Sequence, residues 1–132
     1  MFDAKNIMTK SVVSVKSDTN IYDAMNILVD KKISGLPVVD VDNNLIGILT
    51  EKDILRLLVD RDISDRQTVG DYMTSKVISF GPDDSAVTIT EFLMKSPVRR
   101  VPIVEKGKLV GVVSRRDIIC LLLKIRGKVH KE

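Results

Sequence analysis

The chain is written twice. Met8-Thr9 returns as Met73-Thr74, Val12 as Val77, Ser14 as Ser79, Asp18 as Asp83, Leu28 as Leu93, Pro37 as Pro102 and Val39 as Val104, each 65 residues on (8 to 73, 37 to 102). Leu45, Gly47, Asp53 and Ile54 return as Leu109, Gly111, Asp117 and Ile118, 64 residues on (47 to 111). The lost residue falls in a polar turn, where Val41-Asp42-Asn43-Asn44 shortens to Lys106-Gly107-Lys108. A unit of about 60 residues is marginal on its own, because so little of its surface is buried on folding. Two copies packed together can share a core, so function is expected where the copies meet.

Each copy follows one pattern. A short β-type run opens it, Val12-Val13-Ser14-Val15 and Val77-Ile78-Ser79-Phe80. A cap signal follows, Ser17-Asp18 and Pro82-Asp83-Asp84, and then a helical period. In the first copy Ile21, Ala24, Met25 and Leu28 form one apolar stripe; in the second Ala86, Ile89 and Leu93 do so, with Thr90 in the place of Met25. Two strand-like runs come next, Leu36 to Val39 with Leu45 to Leu49, and Val101 to Val104 with Leu109 to Val113. Their turns carry Asp, Asn and Gly, which tolerate the positive φ of tight hairpins. Pro37 and Pro102 cannot donate to a ladder and are expected at a strand start or on an edge. A second helix closes each copy, from Asp53 and from Asp117. The order is β-α-β-β-α, twice, in a mixed α/β (α+β) fold of two repeats packed with pseudo-twofold symmetry. The expected boundaries are 3–59 for the first repeat, 60–70 for a polar linker, 71–124 for the second repeat and 125–132 for a basic tail.

Composition narrows the class. Hydrophobic residues make up 44% and charged residues 30%, as in globular proteins. Trp is absent and aromatics reach only 4%, so the core is built from Val, Ile, Leu and Met. The longest apolar run, Ile118 to Leu123, is far short of the roughly 20 residues a membrane span needs. Met1 to Lys5 lacks the charged and apolar stretches of a secretory signal, so a cytoplasmic location is expected. The lone Cys120 leaves no intramolecular disulfide or multi-cysteine metal site and reads as a small buried apolar side chain. The lone His130 sits in a polar tail, which argues against metal chelation and imidazole catalysis. Neither a metal site nor a catalytic set is expected. Charge is uneven: residues 1–65 hold 8 Lys and Arg against 11 Asp and Glu, and residues 66–132 hold 13 against 7. A cationic second half suits an anionic partner.

These features carry a family likeness. Tandem β-α-β-β-α units, the apolar-Pro-apolar runs and the Gly-x-x-[Ser/Thr]-x-x-Asp elements together resemble the CBS domain, a pair of which forms a Bateman module. The elements are Gly47-Ile48-Leu49-Thr50-Glu51-Lys52-Asp53 and Gly111-Val112-Val113-Ser114-Arg115-Arg116-Asp117. The likeness covers about residues 3–124 and implies a free-standing pair that senses an adenosine-containing ligand (AMP, ADP, ATP or S-adenosylmethionine) in clefts between its repeats. It also implies a homodimer arranged as a flat disc of four repeats, and no required cofactor.

The resemblance assigns site residues one by one. Asp117 with Ser114, and Asp53 with Thr50, would hold the ribose, the carboxylate accepting both hydroxyls through charge-assisted bonds. The same Ser/Thr-x-x-Asp spacing is that of a helix capping box. The two roles are compatible, because a helix N-terminus attracts an anionic ligand. Arg99 and Arg100 stand where the family often places phosphate-binding side chains, with Arg115 and Arg116 on the adjoining loop; a guanidinium fork contacts two phosphate oxygens together. Ser34-Gly35 occupies that place in the first copy, so the second copy is better equipped for phosphate. The base pocket would be formed by Val12, Val13, Ser14, Ile33, Leu36 and Pro37, and by Val77, Ile78, Ser79, Val98, Val101 and Pro102, each of which also reads as core.

Three functions compete. The first is a non-enzymatic sensor of an adenine nucleotide or S-adenosylmethionine. The second is a ligand-free dimerisation module acting on a separately encoded partner protein. The third is nucleic-acid binding through the basic second half and Lys124-Ile125-Arg126-Gly127-Lys128; the lack of regularly spaced aromatics ranks it last.

Overall fold

The structure, a computed structural model, describes residues 2–59 and 67–128. The elements run α1 (Ala4–Ile7), α2 (Ile21–Lys31), β1 (Gly35–Val39), β2 (Leu45–Thr50), α3 (Glu51–Val59), α4 (Val69–Tyr72), α5 (Ala86–Lys95), β3 (Arg100–Glu105), β4 (Lys108–Ser114) and α6 (Arg115–Ile125). The mixed helix-and-strand class and the duplicated order agree with the sequence expectation.

The compact units are out of phase with the repeat. One unit is 13–77; the other joins 1–12 to 78–132. The opening segment of each copy therefore packs on the other copy's helices and strands. The anchors are small: Ala4 and Val69, 65 residues apart, are both fully buried. Ala4 N–H donates to Asp84 O (2.8 Å) and Lys5 N–H to Pro82 O (2.9 Å). At matching positions, Val69 N–H donates to Thr19 O and Gly70 N–H to Ser17 O, both at 2.8 Å. Of the expected linker 60–70, Val69 is buried and opens α4, while 60–66 lies outside the described residues. The expected tail begins late as well: Ile125 still belongs to α6, and 129–132, with His130, is outside the described residues.

Each unit has a core that is aliphatic apart from Tyr72. Val15, Ile21, Ala24, Leu28, Leu36, Val38, Leu49, Val69 and Tyr72 form one; Ala4, Ile89, Leu93, Val101, Ile103, Val113 and Ile118 form the other. The expected stripes on α2 and α5 face these cores, except that Met25 is only half-buried and the Thr90 hydroxyl donates to Ala86 O at 2.7 Å.

The strand pairs are antiparallel hairpins, Gly35↔Thr50 to Val39↔Leu45 and Arg100↔Ser114 to Glu105↔Lys108. The expected opening strands shrink to single parallel bridges, Val15↔Val38 and Phe80↔Ile103. Bridges Ile48↔Thr74 and Thr9↔Val112 flank the other edges. Each unit therefore holds a layer in which β1 and β2, or β3 and β4, lie between two one-residue contacts. The prolines sit inside β1 and β3, not at their starts. Pro37 faces Ile48, whose own N–H and C=O turn outward to Thr74; Pro102 faces Val112, which turns to Thr9. In such a non-hydrogen-bonded pair the proline nitrogen points away from its hairpin partner, so no ladder bond is lost. Lys106 (φ 52°) and Gly107 (φ 81°) make a two-residue turn with both φ positive, the twist that hairpins favour. The longer first turn is organised by Asp40, whose Oδ1 accepts from Asp42 N–H and Asn44 N–H, both at 2.9 Å.

Candidate ligand-binding site

The Ser114 and Asp117 pair is built by the junction of β4 with α6. Ser114 is the N-cap, with extended backbone, and the helix turns at once. Ser114 N–H and Oγ–H both donate to Asp117 Oδ2, at 2.8 and 3.0 Å, while Asp117 N–H donates to Ser114 Oγ at 3.2 Å. Thr50 and Asp53 repeat this at β2 and α3, at 2.9, 3.0 and 3.3 Å. Both are reciprocal capping boxes, which fix the carboxylate at a helix N-terminus.

Each carboxylate also meets the threonine of a Met-Thr pair that recurs in the sequence. Thr9 Oγ1 donates to Asp117 Oδ1 at 3.4 Å, and Thr74 Oγ1 to Asp53 at 3.2 Å (Oδ1) and 3.4 Å (Oδ2). The recurrence of Met-Thr was the available signal. What the one-dimensional pattern withheld was the exchange that carries each Met-Thr to the other copy's Gly-x5-Asp.

Arg100 opens β3 and pairs with Ser114, which brings its half-buried guanidinium to the same corner as Asp117. Burial pulls its pKa below the ordinary arginine value, and the Asp117 charge pulls it back up. An arginine stays protonated throughout, so this is a partly desolvated cation beside a carboxylate. Arg99 and Arg116 are exposed and, among the described residues, without an ion-pair partner. Arg115 departs from the expected phosphate set. Its Nη2 donates to Ser96 O (3.3 Å) and Leu93 O (3.5 Å), satisfying carbonyls at the C-terminal end of α5. In the first copy Ser34 and Gly35 hold the matching places, and a Cβ on Gly35 would approach Leu49 O to 3.3 Å.

The expected base-pocket set divides. Leu36, Pro37, Val101 and Pro102 are interior, and Ile33 and Val98 pack against the cores. Their burial gives them a packing role. Val12, Ser14 and Val77 are half-buried and Ser79 is exposed. Val13 (37% exposed) and Ile78 (59%), at matching positions, are the apolar members open to solvent. A cavity of about 390 Å³ lies elsewhere in the same unit, between α5 and α6, lined by Thr90, Leu93, Met94, Arg115, Ile118 and Ile119. It shares Arg115 with the expected set but includes neither Asp117 nor Arg100. Cys120 is half-buried, more open than expected. Among the described residues there is no group of three or more potential metal ligands, and no helix long and apolar enough to cross a membrane.

Two capped helices, each docked on a hairpin and each repeated, define a tandem α/β module. The family model for the CBS domain matches residues 4–60 and 69–124, so the chain belongs to the CBS domain family. It is 32% identical over 118 residues to protein MJ1225 of Methanocaldococcus jannaschii, covering 89% of this chain and 42% of that protein. It is 38% identical over 109 residues to an inosine-5'-monophosphate dehydrogenase of Aquifex aeolicus, covering 81% of this chain and 22% of the enzyme. The chain thus spans less than half the length of these relatives. Among solved structures, CBSX2 of Arabidopsis thaliana in complex with AMP matches at TM-score 0.86 and 29% identity, covering 96% of this chain and 99% of that one. The CBS domain pair of MJ0100, in complex with 5'-methylthioadenosine and S-adenosyl-L-methionine, matches at TM-score 0.78 and 29% identity over 97% and 98% of the two chains.

Proposed function

We propose that the chain is a non-enzymatic regulatory module that binds an adenosine-containing ligand at the Asp117 corner, with AMP as the favoured member. The observation that carries this reading is the juxtaposition of a helix-capping carboxylate and the partly buried guanidinium of Arg100. The carboxylate accepts ribose hydroxyl protons; Arg100, with Arg99 and Arg116, meets phosphate. Ile78, in the same unit as Asp117, offers apolar surface for a base. The AMP, 5'-methylthioadenosine and S-adenosyl-L-methionine complexes of the similar structures support the ligand class. The Asp53 corner lacks a guanidinium at the position of Arg100 and suits the uncharged part of such a ligand. Occupancy acts by favouring one arrangement of the module, by no more than the ligand's difference in affinity between arrangements. Titration calorimetry with AMP and 2',3'-dideoxy-AMP tests the reading. The dideoxy compound should bind at least tenfold more weakly, because a site built for a hydroxyl is left with an unpaired acceptor. Equal affinities would remove the ribose role of Asp117.

A second property has its own support. Met94, Ile119, Leu122 and Ile125 leave apolar surface exposed on α5 and α6, as Val29, Leu55 and Leu58 do on α2 and α3. Such surface favours self-association into a homodimer, or docking of a separately encoded partner protein. Neither requires a bound ligand, and both are compatible with ligand sensing.

A further inference from the structure

The cavity between α5 and α6 differs from the matching surface of the first copy in two side chains, and both differences favour a ligand. Its volume of about 390 Å³ is lined by Thr90, Leu93 and Met94 on α5 and by Arg115, Ile118 and Ile119 on α6. Small-molecule sites generally hold about 300–1,000 Å³. Leu93 and Ile118 are buried and form the floor, while Met94 and Ile119 are exposed and form the rim. Their counterparts in the first copy, Leu28, Val29, Ile54 and Leu55, are all apolar as well. The other two positions change character: Met25 stands in place of Thr90, and Glu51 in place of Arg115. The second copy therefore has a short side chain where the first has a long one, and a cation where the first has an anion.

Arg115 is held at one end of this groove. Its Nη2 donates to Ser96 O at 3.3 Å and to Leu93 O at 3.5 Å. The donors on Nε and Nη1 make no bond among the described residues, and no carboxylate pairs with the guanidinium there. The other lining side chains are aliphatic or thioether, and Thr90 gives its proton to Ala86 O at 2.7 Å. A polar body seated against such walls would lose hydrogen bonds to water without replacement. An alkyl chain loses none, and the flexible Met94 can follow its contour. A single unpaired cation balances a carboxylate better than a phosphate monoester, which carries about two charges. We propose that this groove binds an aliphatic monocarboxylate of medium chain length, its chain along Leu93, Met94, Ile118 and Ile119 and its carboxylate on the Arg115 fork. The proposal is independent of the adenosine reading, since neither Asp117 nor Arg100 lines the groove.

Calorimetry on the full chain with hexanoate, octanoate and octan-1-ol tests it, with sedimentation of the same samples. Octanoate should bind roughly fifteenfold more tightly than hexanoate, as expected for two further buried methylenes. It should bind roughly tenfold or more tightly than octan-1-ol, which has the same chain but no charge for Arg115 to meet. In Arg115→Gln the acid should lose its advantage over the alcohol; a general loosening of the groove would weaken both alike and keep their ratio. Thr90→Met, which installs the side chain of the first copy, should abolish binding of both. Should that variant fail to fold, the ratio in Arg115→Gln decides alone. Equal affinity for octanoate and octan-1-ol in the unaltered protein overturns the inference. So does an unchanged ratio in Arg115→Gln, the lack of any gain from hexanoate to octanoate, or binding that survives Thr90→Met. The absence of binding overturns it too; if sedimentation then shows association that Ile119→Lys abolishes, the groove belongs to a second copy of the chain.

Discussion

The two capping acids make the same set of local hydrogen bonds, a common frame, and differ in what surrounds them. Asp53 and Asp117 each close a capping box, and each meets a threonine from an exchanged segment. Beside Asp117 a partly buried guanidinium enters from β3; beside Asp53 the matching residue is Gly35. The frame is therefore a structural requirement shared by both units, because any helix following such a strand needs its first N–H groups satisfied. The charge is not required by the frame. A duplicated scaffold can thus keep its architecture fixed while one copy acquires an anion site and the other does not.

The widest test of that comparison concerns what should be equal. Leu28 and Leu93 occupy matching faces of α2 and α5, and both are buried. Leu28→Ala and Leu93→Ala should each cost about 2–5 kcal/mol, the usual range for a truncated core leucine. Urea unfolding should give similar losses for the two. A loss confined to one unit would show that the frames are not equivalent, and the contrast at the acids would then need no special cause.

The next test concerns what should differ. Arg100→Ala should weaken AMP binding by about 1.5–3 kcal/mol, the worth of a hydrogen bond to a charged group. Arg115→Ala should leave AMP affinity within about twofold, since its guanidinium holds carbonyls of α5 rather than facing Asp117, and removing it changes helix-end packing instead. Calorimetry on the two variants separates these outcomes. Equal losses would mean that net positive charge, not the Arg100 corner, draws the phosphate.

Much of this was legible in the residues, for physical reasons that can be named. The helices and hairpins were, because Ile21-Ala24-Leu28 and the runs around Pro37 and Pro102 impose a period or a break on the chain itself. The capping boxes were, because their partners are only three residues apart. The exchange was not: its anchors, Ala4 and Val69, are single small apolar residues in polar surroundings, and their partners lie a repeat away. The opening strands are shorter than their composition suggests: Val12 to Val15 reads as a strand but, among the described residues, finds one bridging partner, Val38. The direction of Arg115 was also hidden. Adjacency to Asp117 in sequence places it on the right loop, yet on a helix N1 and N3 project to different sides.

The smallest difference between the units is an ion pair. Lys5 Nζ lies 2.7 Å from Asp83 Oδ1, with the two side chains 51% and 79% exposed. The matching positions of the other unit hold Gly70 and Asp18, so that unit has no counterpart. The hydrogen bond and charge of Asp83 raise the Lys5 pKa. A raised lysine pKa contributes stability that is complete below the unfolded value and is lost only as pH climbs through the folded one. Both values lie in the alkaline range, so no pH dependence of stability from this pair is expected between about pH 6 and 9. Water screens both groups, and pairs of this kind generally contribute little. Lys5→Ala should therefore leave the urea midpoint unchanged within error across that window. A midpoint shift approaching that of Leu93→Ala would instead mean that docking of 1–12 depends on this contact, and that the two exchanged segments are held by different forces.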